Sequence, residues 1–476
     1  MALVSQTRTA RLRFEGSQVR AQMHNLLREA EVQHCAEVHD APVSPVCMLP
    51  PELLSTIFIF CLPEDWRSSS CRPLHAPMLL TQICGQWRSV AVSTPLLWSC
   101  ISFEYWPVKM ATKTPLLETW LLRSGGSTLS IRLHEVRVHI TSLILPYSNR
   151  FQHLHITLPT SMLDQISVIQ DRLDLLETLT IDTVDDATWR DDSLNVVSNS
   201  RSQCHAFYSA PRLRDVHIGY GTSPRMLSLP WAQLTNCLAD SCNIDECLHI
   251  LSQSSQLIKC KLECSFKRRV ISYAGGMLQL PNLLYLHLVT WINPGILFDS
   301  IALPAACSIR IDYMDIFSWP QSSFVSLLSR SLWSLSTLIF DTIPLTDTDL
   351  IRCLQETPFL KQLEVLQCAL CISHELVDRL TFRAKSGDGG GPCLLSTLEE
   401  LRFTGLFSVG LEGLVDMVQS RWHGSIADPE VNGLKLVQFL PYVQDEELDA
   451  EAIRRLTEFR ENGLDISVAF DNERVV

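Results

Sequence analysis

Between Thr128 and the C-terminus the chain repeats one short pattern: apolar, two variable positions, apolar, one variable position, apolar. It occurs as Phe151/Leu154/Ile156, Leu176/Leu179/Ile181, Leu213/Val216/Ile218, Leu257/Cys260/Leu262 and Leu283/Leu286/Leu288. It continues as Leu335/Leu338/Phe340, Leu360/Leu363/Val365, Leu398/Leu401/Phe403 and Leu434/Val437/Phe439, with Ala306/Ile309/Ile311 as a weaker copy. The last two apolar residues of each copy alternate with polar ones, the period of a half-buried strand. Helix-like segments fall between copies at 243–253, 324–332, 347–355, 375–383 and 410–422. Pro211, Pro281, Pro358 and Pro392 precede several of the strands. A strand-plus-helix unit of this size cannot bury its apolar face alone, so the copies must stack.

Residues 49–98 carry a different pattern. Pro50, Pro51 and Glu52 read as a helix start, because proline suits a first turn whose N–H groups lack partners and an acidic side chain favours the positive end of the dipole. Leu53, Leu54, Ile57, Phe58, Ile59, Phe60, Cys61 and Leu62 then make the helix apolar on every side. It is too short to cross a bilayer, so it needs cover on two sides: one from its own chain and one from a partner. Leu79, Ile83, Trp87 and Val90/Ala91 predict a second helix ended by Thr94-Pro95, with Leu97 and Trp98 plugging the hairpin. Upstream, residues 1–16 lack periodicity and are expected to be disordered. Residues 17–40 hold a short helix whose Val19, Met23, Leu26 and Ala30 suit either a coiled-coil seam or packing on the hairpin.

Three signatures in order carry a family resemblance: Leu49-Pro50-x-Glu52-Leu53-Leu54-x-x-Ile57-Phe58, Ile83-Cys84-x-x-Trp87-Arg88 and Pro95-x-Leu97-Trp98. Together, over 45–104, they resemble the F-box, most closely that of mushroom-type fungi, where Ser44-Pro45 also precedes the Leu-Pro pair. The segment 63–77 departs from that family by lengthening the loop between the helices. The resemblance implies docking to a Skp-family adaptor, and through it to a cullin. Leu49, Pro50, Glu52, Leu53, Leu54, Ile57, Phe58, Trp87, Leu97 and Trp98 would carry the docking, and removal of residues 99–476 would leave it intact. An ordinary buried helical hairpin is the other reading.

One of the stacked copies runs Leu360-x-x-Leu363-x-Val365-x-x-Cys368-x-Leu370 and resembles the leucine-rich repeat to its end. The other copies lose the asparagine or cysteine step. The implied fold class is α/β: an N-terminal helical F-box followed, over 128–476, by an irregular leucine-rich-repeat solenoid of parallel strands with helices. An α/β domain with crossover helices is the alternative. Residues 185–205 read as a solvated insertion, 385–391 as a glycine-rich loop, and 446–460 as a polar helix capping the array.

Composition narrows the partners. The 476 residues carry a formal charge of −13 and are 46% apolar, which disfavours nucleic acid and anionic membrane surfaces and allows a large core. Seventeen cysteines without disulfide-framework spacing, no secretory segment and no Asn-x-Ser/Thr acceptor suggest a reducing compartment, cytoplasmic or nuclear.

Candidate chemistry is sparse. The glycine loop lacks the Gly-Lys-Ser/Thr order of a phosphate cradle. Cys368-x-x-Cys371 with His374 lacks a fourth zinc ligand, and Cys368 already sits at a repeat's structural cysteine position, so no metal and no cofactor are expected. No catalytic motif occurs. The expectation is therefore a non-enzymatic substrate receptor of a ubiquitin ligase, with a scaffold carrying an F-box-like cap as the alternative. Its client is expected on the solvent-facing positions interleaved with the strand apolars: Tyr285, His287, Ile339, Glu364, Leu366 and Arg402.

Overall fold

The computed structural model describes residues 22, 45–68, 73–103, 114–134, 138–185, 203–265, 275–314, 319–331, 335–382, 394–427, 432–441, 450–470 and 473–474. The N-terminal segments 1–16 and 17–40 (Gln22 excepted), the core of the 185–205 insertion and the glycine loop lie outside the described residues. The chain divides into two compact units, Met1–Leu213 and Arg214–Val476.

The first unit opens with the helix Pro51–Phe60, whose prolines and Glu52 fill the first turn. Leu54 and Phe58, four residues apart, are 0% exposed, and the Phe58 ring lies 4.9 Å from that of Trp87. The expected second helix is broken in two, Leu80–Ile83 and Gly85–Ser93. Cys84 sits at the break with extended backbone, and its sulfur accepts from the Trp87 N–H at 3.5 Å, so it starts a new helix instead of continuing the old one. Trp98 is fully buried, donates from Nε1 to the Ala91 carbonyl at 2.8 Å, and meets Trp120 edge-on at 5.1 Å. Trp120 belongs to the helix Thr114–Arg123.

Four parallel strands follow in sequence order: β1 (Cys100–Phe103), β2 (Leu129–Leu133), β3 (Phe151–Pro159) and β4 (Thr178–Val184). Their central row is Ile101, Ile131, Leu154 and Leu179, all buried. The long loop between the hairpin helices is anchored to these strands. Its turn Trp66–Ser68 lies on the opposite face of these strands. The Trp66 ring stacks on His153 at 5.6 Å, and the Arg67 carbonyl accepts from Ser102 Oγ at 3.4 Å and Arg132 Nη1 at 3.2 Å. The hairpin is thus fastened to strands that come after residue 98. Removing residues 99–476 would strip the Trp98–Trp120 contact and this anchor.

The second unit carries β5 (Asp215–Ile218), β6 (Asn236–Cys242), β7 (Lys259–Cys264), β8 (Leu278–Gln279), β9 (Tyr285–Thr290), β10 (Ile301–Ala302) and β11 (Ser308–Tyr313). β12 (Thr337–Asp341), β13 (Gln362–Ile372), β14 (Glu400–Phe407), β15 (Leu436–Pro441), β16 (Asp465–Phe470) and β17 (Glu473–Arg474) complete it. Strands β5, β6, β7, β9 and β11 to β16 pair in that order, all parallel, and β17 turns back on β16. β8 and β10 form a separate parallel pair. Helices stand between the strands: Ile244–Gln253, Gly295–Ser300, Gln321–Arg330, Asp347–Gln355, His374–Leu380, Leu411–Ala427 and Ala450–Glu461. This is an α/β architecture of stacked strand-and-helix units.

Every copy of the apolar pattern named above is a buried strand in its unit. Among the described parallel strands of the main ladders after residue 128, three escaped the pattern. β2 has Thr128 at the first step, ahead of Ile131 and Leu133. β6 fits as Leu234/Cys237/Ala239, but with side chains too small to read as a strand core. β16 has Gly463 where the first apolar residue should be, ahead of Ile466 and Val468. The helix expected to cap the array is present as Ala450–Glu461, but β16 follows it and pairs with β15, so it does not end the sheet.

Local chemistry sets the helix ends. Asn243 with Glu246, and Thr346 with Asp349, form reciprocal capping boxes. Arg421 is 0% exposed and donates to the carbonyls of Leu380 at 2.6 Å, Leu395 at 2.9 Å and Leu394, closing the C-terminal end of the helix His374–Leu380. Strand exits share a second device. Ser241, Thr342, Gln367 and Gly405 all have positive φ, and each follows the last outward residue of its strand (Asp240, Asp341, Leu366, Thr404). Replacing Arg421 by Met keeps most of the volume but removes the buried cation on which three carbonyls converge. Urea denaturation should show a loss of about 3 kcal/mol, and a loss under about 0.5 kcal/mol would mean the carbonyls find water.

Candidate docking surfaces

The first surface is the outer side of the Pro51–Phe60 helix. Leu53, Thr56, Ile57 and Phe60 lie at i, i+3, i+4 and i+7 and form one stripe. Leu53 is 53% exposed and Phe60 51%, Thr56 is exposed and Ile57 half-buried. Leu54 and Phe58 form the opposite stripe and are wholly inside. Of the expected docking residues, Glu52, Leu53 and Pro50 are exposed, and Leu49 and Ile57 are half-buried. Leu54, Phe58, Trp87, Leu97 and Trp98 are buried within this chain. Phe58 packs on Trp87 within the hairpin and Trp98 on Trp120 of the Thr114–Arg123 helix, so these side chains back the outer stripe from inside. Phe60 was missed, although its spacing from Leu53 and Ile57 would have identified it. Met48 and Leu96, 76% and 49% exposed, add apolar surface on the flanking turns.

The second surface is the strand face of the second unit that points away from the buried rows. Lys261, His287, Arg310, Ile339, Glu364 and Arg402 are successive register partners across β7, β9, β11, β12, β13 and β14. Four of the expected client residues therefore stand in one row. Tyr285 lies two residues earlier on β9, 46% exposed, with the Lys259 ammonium 5.3 Å over its ring. Leu366 lies one row later, paired with Asp341, and is half-buried like Ile339. Glu364 differs from the expectation. It is 5% exposed, accepting from Gln362 Nε2 at 2.7 Å and Arg402 Nη1 at 3.0 Å, so it holds Arg402 in place beneath the surface.

Charge on this face is organised between strands. His287 Nε2 lies 2.8 Å from Asp312, and Arg310 reaches Asp312 at 2.8 Å and Asp341 at 2.9 Å. His217 meets Asp240 at 2.7 Å, and in the first unit His155 meets Asp182 at 3.2 Å. Apart from Arg310–Asp312, which lies within β11, each of these pairs joins a basic residue on one strand to a carboxylate two positions further along the next strand. Pattern reading missed Asp240, Asp312 and Asp182, because the signal spans two copies instead of lying within one. Burial acts to raise the Asp312 carboxyl, but hydrogen bonds from His287 and Arg310 outweigh it and hold the group below the usual carboxylate range. Burial, and then the neighbouring Asp312 charge, push Asp341 up. Tyr220 donates to Glu263 at 3.0 Å, and that bond, ahead of burial, pushes its phenol up.

These surfaces offer contact and charge, with the side chains already engaged in structural bonds. Among the described residues no group of three or more His, Cys, Asp or Glu side chains could hold a metal ion. The side chains of Cys368 and Cys371 lie outside the described residues, and His374 is exposed at a helix start. Among the described residues no helix is long and apolar enough to cross a membrane. No family model matches the chain, and no curated protein matches it.

A carboxylate held low in the folded state stabilises it above the unfolded value, near 3.9, and the benefit disappears as pH falls through the folded value. Asp312→Asn should therefore cost about 1 kcal/mol at pH 7, after solvent screening of a part-exposed pair. The difference from the parent should shrink steadily below about pH 4. A cost independent of pH, measured by urea titration, would show that Asp312 acts by shape alone.

Proposed function

We propose that the protein is the substrate-receptor subunit of a Skp-cullin-F-box type ubiquitin ligase. The N-terminal hairpin acts as the F-box, and the second unit acts as a leucine-rich-repeat-like receptor for a client protein. The observation that carries the reading is the divided helix Pro51–Phe60: its inner stripe is completely packed while Leu53 and Phe60 are left half in water. Burying a side chain of this size yields about 1.5–3 kcal/mol, so an apolar stripe of this kind gains from a partner surface. The repeat-ordered signatures at Leu49–Phe58, Ile83–Arg88 and Pro95–Trp98 point to a Skp-family adaptor, and through it a cullin, as that surface.

The client would lie on the sheet face around Tyr285, His287, Ile339, Leu366 and Arg402, where apolar side chains are rimmed by paired charges. The receptor itself makes and breaks no bonds; it raises the local concentration and fixes the orientation of its client. No cofactor, nucleic acid or membrane enters this role, and the cytoplasm or nucleus is where it would operate.

Leu53→Asp with Phe60→Asp places two charges on the outer stripe. Co-purification of the Skp adaptor should fall by at least thirtyfold, a loss of about 2 kcal/mol or more, while the circular dichroism and melting temperature stay near those of the parent. Retained adaptor binding by this folded double variant would sink the proposal. Leu54→Asp with Phe58→Asp should instead unfold the hairpin, since both are in the core.

The triple change Tyr285→Ser, Ile339→Ser and Leu366→Ser should leave adaptor binding intact and abolish capture of clients that co-purify with the parent. Loss of adaptor binding together with a large drop in melting temperature would place these side chains in the core.

A further inference from the structure

The core under β6 and β7 concentrates thiols that neither the stacking pattern nor docking requires. Cys237 and Cys260 are register partners, as are Cys242 and Cys264 at the ends of the same strands. Cys247 joins them from the first part of the helix Ile244–Gln253. All five are buried, and Cys247 and Cys264 are both 0% exposed. Cys247 Sγ lies 3.2 Å from Cys264 Sγ. A disulfide needs about 2.05 Å, so roughly an ångström of approach separates contact from bond.

We propose that Cys247 and Cys264 are a peroxide-responsive disulfide site that locks the helix Ile244–Gln253 onto the end of β7. The two residues stand 17 apart in sequence, so the bond would close a short loop across a helix-to-strand contact. Hydrogen bonds with Cys242 and Cys264, reinforced by burial, push the Cys247 thiol well above its ordinary value and keep it protonated at neutral pH. Both sulfurs are sealed from solvent, so the pair oxidises only when the contact opens. Cys264 is the last residue of β7 and is fully buried, so peroxide reaches it only during that opening. Cys260 pairs in register with Cys237 and lies four residues before Cys264 on β7.

The chemistry balances with one peroxide. The Cys264 sulfur takes one oxygen from hydrogen peroxide, giving a sulfenic acid and one water. The Cys247 sulfur then attacks that sulfur, the S–O bond breaks, and the hydroxyl leaves as a second water with the proton of Cys247. Two thiols are oxidised by two electrons and the peroxide is reduced by two. The bond would end one residue from Glu263, stiffening the sheet face where Tyr220 donates to that carboxylate. This site stands whether or not the ligase reading holds.

The test treats the full chain with hydrogen peroxide at neutral pH, alkylates the remaining thiols, and maps non-reduced tryptic peptides by mass spectrometry. The peptide carrying Cys264 should be linked to the one carrying Cys237, Cys242 and Cys247, with fragmentation placing the bond on Cys247. The melting temperature should rise by about 5 °C and fall back on reduction. Cys242→Ala should keep the link and Cys247→Ala should lose it; if Cys247→Ala fails to fold, the parent's fragmentation map decides alone. A bond on Cys242, a link that persists in folded Cys247→Ala, or no link once other thiols are oxidised would each overturn the proposal.

Discussion

Register is the constraint on which the second unit depends. Between β7 and β14 each strand meets its neighbour in parallel with the same offset, so the residues two positions apart form continuous rows. A slip of one residue would turn Leu286, Ile309, Leu338 and Leu363 toward water and send His287, Arg310 and Glu364 inside. The burial of the apolar rows is the large term. The charged pairs on the opposite face are individually small. Yet the same offset that stacks leucine on leucine also sets a histidine or arginine within reach of the aspartate on the next strand. The ladder of charges follows from the core, and it then penalises any other register.

The strand exits show what this regularity costs. Ser241, Thr342 and Gln367 adopt left-handed backbone where glycine or asparagine would sit with less strain, each at a cost of roughly 1 kcal/mol. Thr342 is the most demanding, being β-branched, and its N–H donates to the Leu366 carbonyl at 2.8 Å in the next strand. The turn geometry recurs although the residue types do not. That is why the pattern looks degenerate in sequence and regular in space.

The copies of the strand motif were legible because large apolar side chains mark buried strands by their period alone. β6 was not, since Cys237 and Ala239 bury too little surface to stand out, and β16 was hidden by Gly463 at the step where an apolar residue was sought. The interstrand His–Asp pairs were invisible for a different reason: each is defined by two copies at once. At the hairpin, the excess of apolar residues in the Pro51–Phe60 helix announced two covered sides but not which residues belonged to which. Only the position of Trp87 relative to Phe58 decides that Leu54 turns inward and Leu53 outward. Glu364 was read as a surface residue from its alternation, which holds for its direction; its depth depends on Arg402 and Gln362 lying over it.

The stacking of Trp66 on His153 has a consequence for how such a chain can change over time. A helical hairpin joined to its neighbour only through one peptide link could be exchanged between proteins as a cassette. Here the loop between the two helices reaches forward to grip Ser102, Arg132 and His153, and Trp98 interlocks with Trp120. Cassette and scaffold therefore share one folding fate. A substitution on β2 or β3 can be felt at the helix Pro51–Phe60, and a hairpin borrowed from another chain would arrive without the groove its loop was shaped to fill.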